Sequence, residues 1–261
     1  MQPSPRRRLA ELLSAARRDR HQIPSLPKDL EPATSDDAYA INTLVAADLG
    51  WPQLGWKIAA TTSEMQQRLR TSEPIYGRTY QRFATPSPTR FRHAELLDPL
   101  VECEFFFRLG RDLPPRATPY NRREVAAAVT DVHAGVEVAE CRFPLANLPS
   151  VAAILADGAA SGRYVIGDAF PKWHAQDFAG MPVTLSVNGQ VRREGYGRAV
   201  MGDPINALVW LANARSRSGD GLAEGALIST GTATGMLLAK RGDVMRAAFG
   251  VTATVELAFD A

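Results

Sequence analysis

The amino-acid sequence predicts an α+β fold: a small helical region over residues 1–53, then a mostly β body with inserted helices over residues 54–261 that forms one structural unit. Three observations predict it. Apolar residues recur at helical spacing near the N-terminus. From about residue 54 the chain turns into short apolar stretches broken by Gly, Pro and Asp. Those stretches do not alternate regularly with helices, which argues against a doubly wound parallel sheet.

The elements follow in order. Leu9, Leu12, Leu13 and Ala16 mark one face of an amphipathic first helix. Residues 22–33 carry Pro24, Pro27 and Pro32 and read as a connector. A second helix begins where Thr34 and Ser35 precede Asp36 and Asp37, and Gly50 and Pro52 stop it. Candidate strands lie at 54–60, 99–109, 132–140, 182–188, 226–230 and 251–259. Helices are expected at roughly 121–130, at 147–155, and from Asp203-Pro204 onward, where Asp caps and Pro takes the first helical position. Asn188-Gly189 suits a type I′ hairpin turn.

Composition narrows the function classes. With 261 residues and 45% of them hydrophobic, the chain has enough apolar material for a substantial core. Thirty basic and 28 acidic side chains give a net charge of +2, so no nucleic-acid or anionic-membrane footprint is present. No apolar run of about 18 residues marks a membrane span. Cys103 and Cys141 make neither a disulfide scaffold nor a zinc knuckle, and a reducing cytoplasm is the expected compartment. Arg6, Arg7, Arg8, Arg17, Arg18 and Arg20 read as a solvated basic face on the first helix, with no secretory signal behind them.

The run Val101-Glu102-Cys103-Glu104-Phe105-Phe106-Phe107 is the most informative. In a strand, residues two apart share a face. Glu102 and Glu104 therefore point one way, and Val101, Cys103, Phe105 and Phe107 point into a core. On spacing alone an exposed strand face is the ordinary reading of Glu-x-Glu. A second strand, Gly135-Val136-Glu137-Val138-Ala139-Glu140, sets Glu137 opposite to two valines. Three carboxylates meeting out of water repel one another, and a hard divalent cation with oxygen ligands offsets that. Mg²⁺ or Mn²⁺ suits such an oxygen set, with waters and a chelating substrate completing an octahedron.

These stretches resemble the fumarylacetoacetate hydrolase superfamily, in its 2-keto-4-pentenoate hydratase and 4-oxalocrotonate decarboxylase branch. The resemblance rests on order and spacing: Asp37 to Ile41, Gly55-Trp56-Lys57-Ile58, Glu73-Pro74-Ile75-Tyr76-Gly77, the Glu102 strand with Leu109 to Leu113, Gly135 to Arg142, Gly202-Asp203-Pro204 with Trp210 to Asn213, and Gly221-Leu222 through Thr230-Gly231. It covers about residues 9–260. It implies a rolled, mixed sheet body with flanking helices, metal ligands at Glu102, Glu104 and Glu137, and Lys57 at the place of the family's active-site lysine. It also implies a homo-oligomer, with a complex with a neighbouring pathway enzyme as a further partner. Two stretches depart from the branch's usual pattern: Ile58-Ala59-Ala60-Thr61 stands for Ile-Gly-Leu-Thr, and Ala156-Asp157-Gly158 for Ala-Asp-Asn. They bear on the substrate.

The chemistry so implied is activation of a small 2-oxo acid. Metal chelation of its carboxylate and keto oxygens stabilises an enolate. Water addition in a hydratase is the leading expectation. Decarboxylation, C–C bond hydrolysis and a non-catalytic partner role are the alternatives. Lys57 is expected to move a proton or hold the substrate carboxylate, with a pKa lowered by burial and the cation. Glu73 is either a water-activating carboxylate or a turn residue. Asp157, Thr230 and Gly231 are expected at the edge of the substrate pocket, or as an ordinary strand end. Glu140 and Arg142 are either a pair orienting Glu137 or a surface pair. No context singles out His21, His93, His133 or His174, which tilts the expectation away from a hydrolase.

Overall fold

The structure, a computed structural model, describes residues 3–260. Its first helix, α1 (Pro5–Asp19), starts where Ser4 accepts a hydrogen bond from the Arg7 amide and Pro5 fills the first turn. Leu9, Ala10, Leu13 and Ala16 lie on its buried side, and Arg17 lies there with them. The second helix, α2 (Ser35–Leu49), is capped by Thr34 and ends at Gly50, whose φ of 60° is left-handed. Ile41, Val45 and Leu49 face α1 and the body.

The body then runs through β1 (Gln53–Ala59), α3 (Ser63–Leu69), β2 (Ile75–Tyr80), β3 (Ala84–Pro86), β4 (Thr89–Phe91), β5 (Leu100–Leu109), α4 (Arg122–Ala126), β6 (Val129–Ala139), α5 (Val151–Ala156), β7 (Arg163–Ala169), β8 (Pro182–Val187), β9 (Gln190–Tyr196), α6 (Pro204–Arg217), β10 (Leu227–Ser229), β11 (Leu237–Leu238), β12 (Val244–Phe249) and β13 (Ala253–Phe259). The strands form two sheets. One has eight strands, in the order β2-β1-β10-β5-β6-β7-β3, with β11 pairing with the start of β5. The other is β4-β13-β12-β8-β9. Pairing is mixed: β1 with β10, β3 with β7 and β4 with β13 are parallel, and the rest antiparallel. This is the expected α+β body of curled, mixed sheets with flanking helices.

The main core lies between the sheets. The large sheet sends in Val101, Cys103, Phe105 and Phe107 from β5 and Val132, Ala134, Val136 and Val138 from β6. The small sheet answers with Val183, Leu185, Met245, Ala247, Phe249 and Val255, and α6 closes one side with Ile205, Leu208 and Leu211. Burying that much apolar surface fixes the register of β5, because a one-residue slip would send its glutamates into this core. A second cluster joins α1, α2 and α5 to Ile75, Tyr80 and Phe143. The N-terminal helices thus share a core with the body.

The sequence placed most elements, with informative differences. The helix expected over 121–130 stops at Ala126, because Val129 and Val132 pair with β5 and strand pairing outweighs the helix preference of the alanine run. The helix expected from 147 begins at Val151, since Pro149 disfavours helix before it and Ser150 caps it. Strands β2, β7 and β12 were not expected. Each holds Gly or Ala where a strand signal wants branched residues, and each is fixed by its neighbours in the sheet. The Asn188-Gly189 turn has φ of 51° and 80°, as a type I′ turn requires.

Gly55 sets how closely β1 approaches β10. A Cβ there would lie 2.0 Å from the Leu227 carbonyl oxygen, a backbone atom that cannot step aside. Gly55→Ala is expected to lower the unfolding free energy by about 1–3 kcal/mol, the range of an overpacked core. Denaturant unfolding measures it, and an unchanged midpoint contradicts the close approach.

Candidate metal centre

Strand pairing builds the site. In the antiparallel ladder of β5 and β6, Glu102 stands directly opposite Glu137, and Glu104 stands opposite Gly135. Like charges directly across a ladder are destabilising. The ring of Phe106 lies over Gly135, where a Cβ would be 2.4 Å from it. Oxygens of Glu102, Glu104 and Glu137 all come within 4.8 Å of one another. Glu104 and Glu137 are fully buried, and Glu102 keeps 8% of its surface.

Two of the carboxylates are each held by one oxygen. Glu104 Oε2 accepts from the Gly231 amide at 2.9 Å and from the Ser229 hydroxyl. Glu137 Oε1 accepts from the Tyr164 hydroxyl at 3.1 Å and lies 3.2 Å from Lys57 Nζ. Glu104 Oε1 and Glu137 Oε2 are buried without any hydrogen-bond partner among the described residues. A buried carboxylate oxygen without a donor is costly. Two of them beside a third carboxylate fit a hard cation with oxygen ligands.

Lys57 reaches the cluster because β1 runs parallel to β10 and places it beside Ser229. It is buried, and Nζ donates to the Ala159 carbonyl at 3.1 Å. Burial raises all three carboxyls, and Glu102 is pushed up to about 7, with Lys57 opposing and Glu137 adding to the rise. Burial and the charges of Glu137 and Glu102 hold Glu104 well above the ordinary range. Burial also lifts Glu137, against the pull of Lys57 and Tyr164. For Lys57 burial acts downward, but Glu137, Glu102 and Glu104 outweigh it and hold the ammonium above its ordinary value. The expected fall is that of Lys57 beside a bound cation, which would take up much of the carboxylates' charge.

The other expected site residues divide. Gly231 joins the centre through its amide and has a φ of 96°, which favours glycine. Thr230 is buried and spends its hydroxyl on the Phe105 carbonyl at 2.9 Å. Asp157 does not reach the carboxylates. Its oxygens are taken by the Arg142 amide at 2.9 Å, by Arg142 Nε and by Arg17 Nη2 at 3.1 Å. Glu73 lies exposed ahead of β2, with Arg217 at 3.7 Å, and stands outside the buried cluster. Glu140 and Arg142 are buried but serve other partners, Glu140 taking Arg163 at 3.3 Å and the Leu97 amide at 3.0 Å. His133 bonds Asp131 and the Gly167 carbonyl, His93 the Ala239 carbonyl, and His174 stacks on Trp173. Sequence reasoning missed Tyr164, Ser229 and Arg17. Tyr164 sits opposite Glu137 on a strand that gave no signal, and Ser229 is tied to Lys57 only by a parallel pairing.

A divalent ion entering this site displaces protons. The raised carboxyls favour the protonated form, so the metal-free protein loses stability as pH rises from the ordinary carboxyl range through about 7, where burying charge becomes obligatory. Metal affinity is expected to rise over the same window. Titration calorimetry at about pH 6 in buffers of different ionisation enthalpy is expected to record proton release on Mn²⁺ binding; no release contradicts the raised carboxyls. Glu104→Gln is expected to weaken metal binding by more than the roughly 10- to 100-fold typical of an outer-shell partner. The same substitution is expected to raise the melting temperature of the metal-free protein above neutral pH, since one repelling charge is gone. Unchanged affinity removes Glu104 from the centre.

Comparison with known proteins agrees along the whole chain. A family model described as fumarylacetoacetate (FAA) hydrolase C-terminal matches residues 60–257. The 2-keto-4-pentenoate hydratase of Paraburkholderia xenovorans (strain LB400) is 33% identical over 263 residues, covering 100% of this chain and 97% of that protein. A 4-oxalocrotonate decarboxylase of Pseudomonas sp is 29% identical over 246 residues, 92% of each. The solved 4-oxalocrotonate decarboxylase from Pseudomonas putida G7, complexed with magnesium and adipate, superposes with a TM-score of 0.91 at 24% identity, covering 99% of this chain and 98% of that one. The chain belongs to the fumarylacetoacetate hydrolase family.

Proposed function

We propose that the chain is a divalent-metal-dependent hydro-lyase that adds water to a 2-hydroxy-dienoate or 2-oxo-enoate of the 2-keto-4-pentenoate class. The observation that carries this reading is the buried trio Glu102, Glu104 and Glu137, with two unpartnered oxygens and Lys57 Nζ 3.2 Å from Glu137. The full-length likeness to a 2-keto-4-pentenoate hydratase supports the substrate class.

Mg²⁺ or Mn²⁺ held by Glu102, Glu104 and Glu137 would polarise the 2-oxo group and stabilise negative charge on its oxygen. The protein's own residues do the rest. Ser229 and Gly231 fix one oxygen of Glu104, and Tyr164 and Lys57 fix one of Glu137, which leaves the other oxygen of each free to take a cation. Groups fixed before the reaction need no reorganisation during it. Ketonising a dienol puts a proton on carbon, and adding water takes one from water. Lys57 Nζ would hold or move such a proton, being buried with the Ala159 carbonyl at 3.1 Å and Glu137 Oε1 at 3.2 Å as its oxygen partners. Burial of the cluster keeps bulk water from competing with the proton.

A decarboxylase of the 4-oxalocrotonate type is the second reading, favoured by the 29% identical relative. The same electron sink would serve it. A C–C hydrolase is disfavoured, because His93, His133 and His174 bond or stack with groups other than Glu102, Glu104 and Glu137, His133 with Asp131 and the Gly167 carbonyl. A non-catalytic subunit has no chemical need for four groups held in this arrangement.

Loss of dienoate ultraviolet absorbance with added Mg²⁺ or Mn²⁺ is the expected activity. Release of CO₂ from an oxalocrotonate-type substrate, without hydration of a dienoate, would turn the reading to the decarboxylase. No metal-dependent turnover of any 2-oxo-enoate would end both. Lys57→Met is expected to lower kcat by about 10²- to 10⁴-fold, the usual contribution of a proton-transfer group, while metal binding persists. A kcat close to the unsubstituted enzyme's would take Lys57 out of the chemistry.

A further inference from the structure

The loop that holds Lys57 has an unfavourable backbone. Gly158, Ala159 and Ala160 have φ of 75°, 54° and 58°, three left-handed residues in succession, two of them carrying a Cβ. Such conformations persist only where the surroundings over-determine them, and they cluster at functional sites. The Ala159 carbonyl, in the middle of this turn, receives Lys57 Nζ at 3.1 Å.

The surroundings that determine the turn are two buried guanidiniums. Arg142 donates to Asp157 at one end and to the Ser161 carbonyl at 2.9 Å at the other. Arg17 does the same from a distant part of the chain. Its Nη2 lies 3.1 Å from Asp157 Oδ1 and bonds the Asp157 carbonyl, and its Nη1 donates to the Ser161 carbonyl at 3.4 Å. The Arg17 side chain is 3% exposed. The other arginines of α1 with charged partners, Arg6, Arg7 and Arg8, keep far more of their side chains exposed than Arg17 does. A planar fork bridging both ends of a five-residue turn fixes its span, which a single ammonium cannot do.

We propose that Arg17 is a positioning residue for Lys57, acting from the first helix through the Asp157–Ser161 turn whose Ala159 carbonyl holds the ammonium. The inference rests on the proposed role of Lys57 in proton transfer. It makes the N-terminal helix a part of the active centre, although the helix lies outside the span of the matched family model. Loss of the Arg17 fork frees one side of the turn. The Ala159 carbonyl then moves off Nζ, and Lys57 keeps only its Glu137 partner, while the Tyr164 hydroxyl still holds Glu137 and Ser229 and Gly231 still hold Glu104.

The test compares Arg17→Met and Arg17→Lys with Leu13→Ala, which loosens the same helix without removing a hydrogen bond to the turn. The Arg17 variants are expected to bind Mn²⁺ as the unsubstituted protein does. Their kcat is expected to fall by roughly ten- to a hundredfold, the scale of an ångström-sized misplacement. KM for the 2-oxo acid should stay within about threefold, as when an interaction made only in the transition state is lost. Crystal structures of the variants are expected to show Nζ and the Ala159 oxygen beyond hydrogen-bond reach. Leu13→Ala should melt at a lower temperature yet keep its kcat. Arg17→Lys keeps a positive charge beside Asp157 and serves should Arg17→Met not fold. Retention of the contact and of kcat in the Arg17 variants would overturn the inference, as would equal losses of kcat in Leu13→Ala. If the unsubstituted protein turns over no 2-oxo acid, the functional reading fails, and the crystallographic distance still decides the positioning.

Discussion

Three carboxylates held out of water beside one lysine form the constraint on which the rest of this structure depends. Unit charges about 4–5 Å apart repel by on the order of 3–4 kcal/mol at an effective dielectric near 20. Three such pairs exceed what the Lys57 ammonium alone offsets, and full ionisation leaves two negative charges uncompensated. The fold meets that excess by holding the carboxyls above their ordinary range, and a divalent cation would meet it by matching the charge. Glu104 Oε1 and Glu137 Oε2, buried without a hydrogen-bond partner among the described residues, fit the same need.

The same two strands make the core and the centre. Alternation along β5 sends Phe105 and Phe107 to one side and Glu102 and Glu104 to the other, so the apolar packing that fixes register also aims the glutamates. Neighbouring strands then supply single groups at fixed places: Lys57 from β1, Ser229 from β10, Tyr164 from β7. Each sits on a sheet rather than a loop, which favours precise placement. The exception is the Ala159 carbonyl, carried on a left-handed turn, and that turn is the part pinned by two buried arginines.

Much of this was legible in the sequence, for physical reasons. Period-two patterning around Glu102 and Glu104 told which side chains face the core, and Glu137 between two valines told the same for its strand. Capping residues such as Thr34 and Asp203 marked helix starts where the structure has them. What patterning does not encode is which strands lie side by side. Tyr164 and Ser229 became neighbours of the centre only through sheet pairing, and nothing local in the sequence marks Arg17 and Arg142 as the partners of Asp157. Arg17 carried a readable sign nonetheless. It continues the Leu9 and Leu13 stripe at helical spacing, a place where a charged residue is buried and paired rather than solvated. Glu73 was expected on its loop motif alone, and an exposed loop has no apolar pattern to fix its direction.

The most direct test of the account is the position of one ion. Crystals grown with Mn²⁺ and measured for its anomalous scattering are expected to show a single strong peak bonded to one oxygen each of Glu102, Glu104 and Glu137, at about the 2.0–2.2 Å of small divalent ions on oxygen. A peak elsewhere, or carboxylates turned away from a common point with the ion in solution, would contradict it.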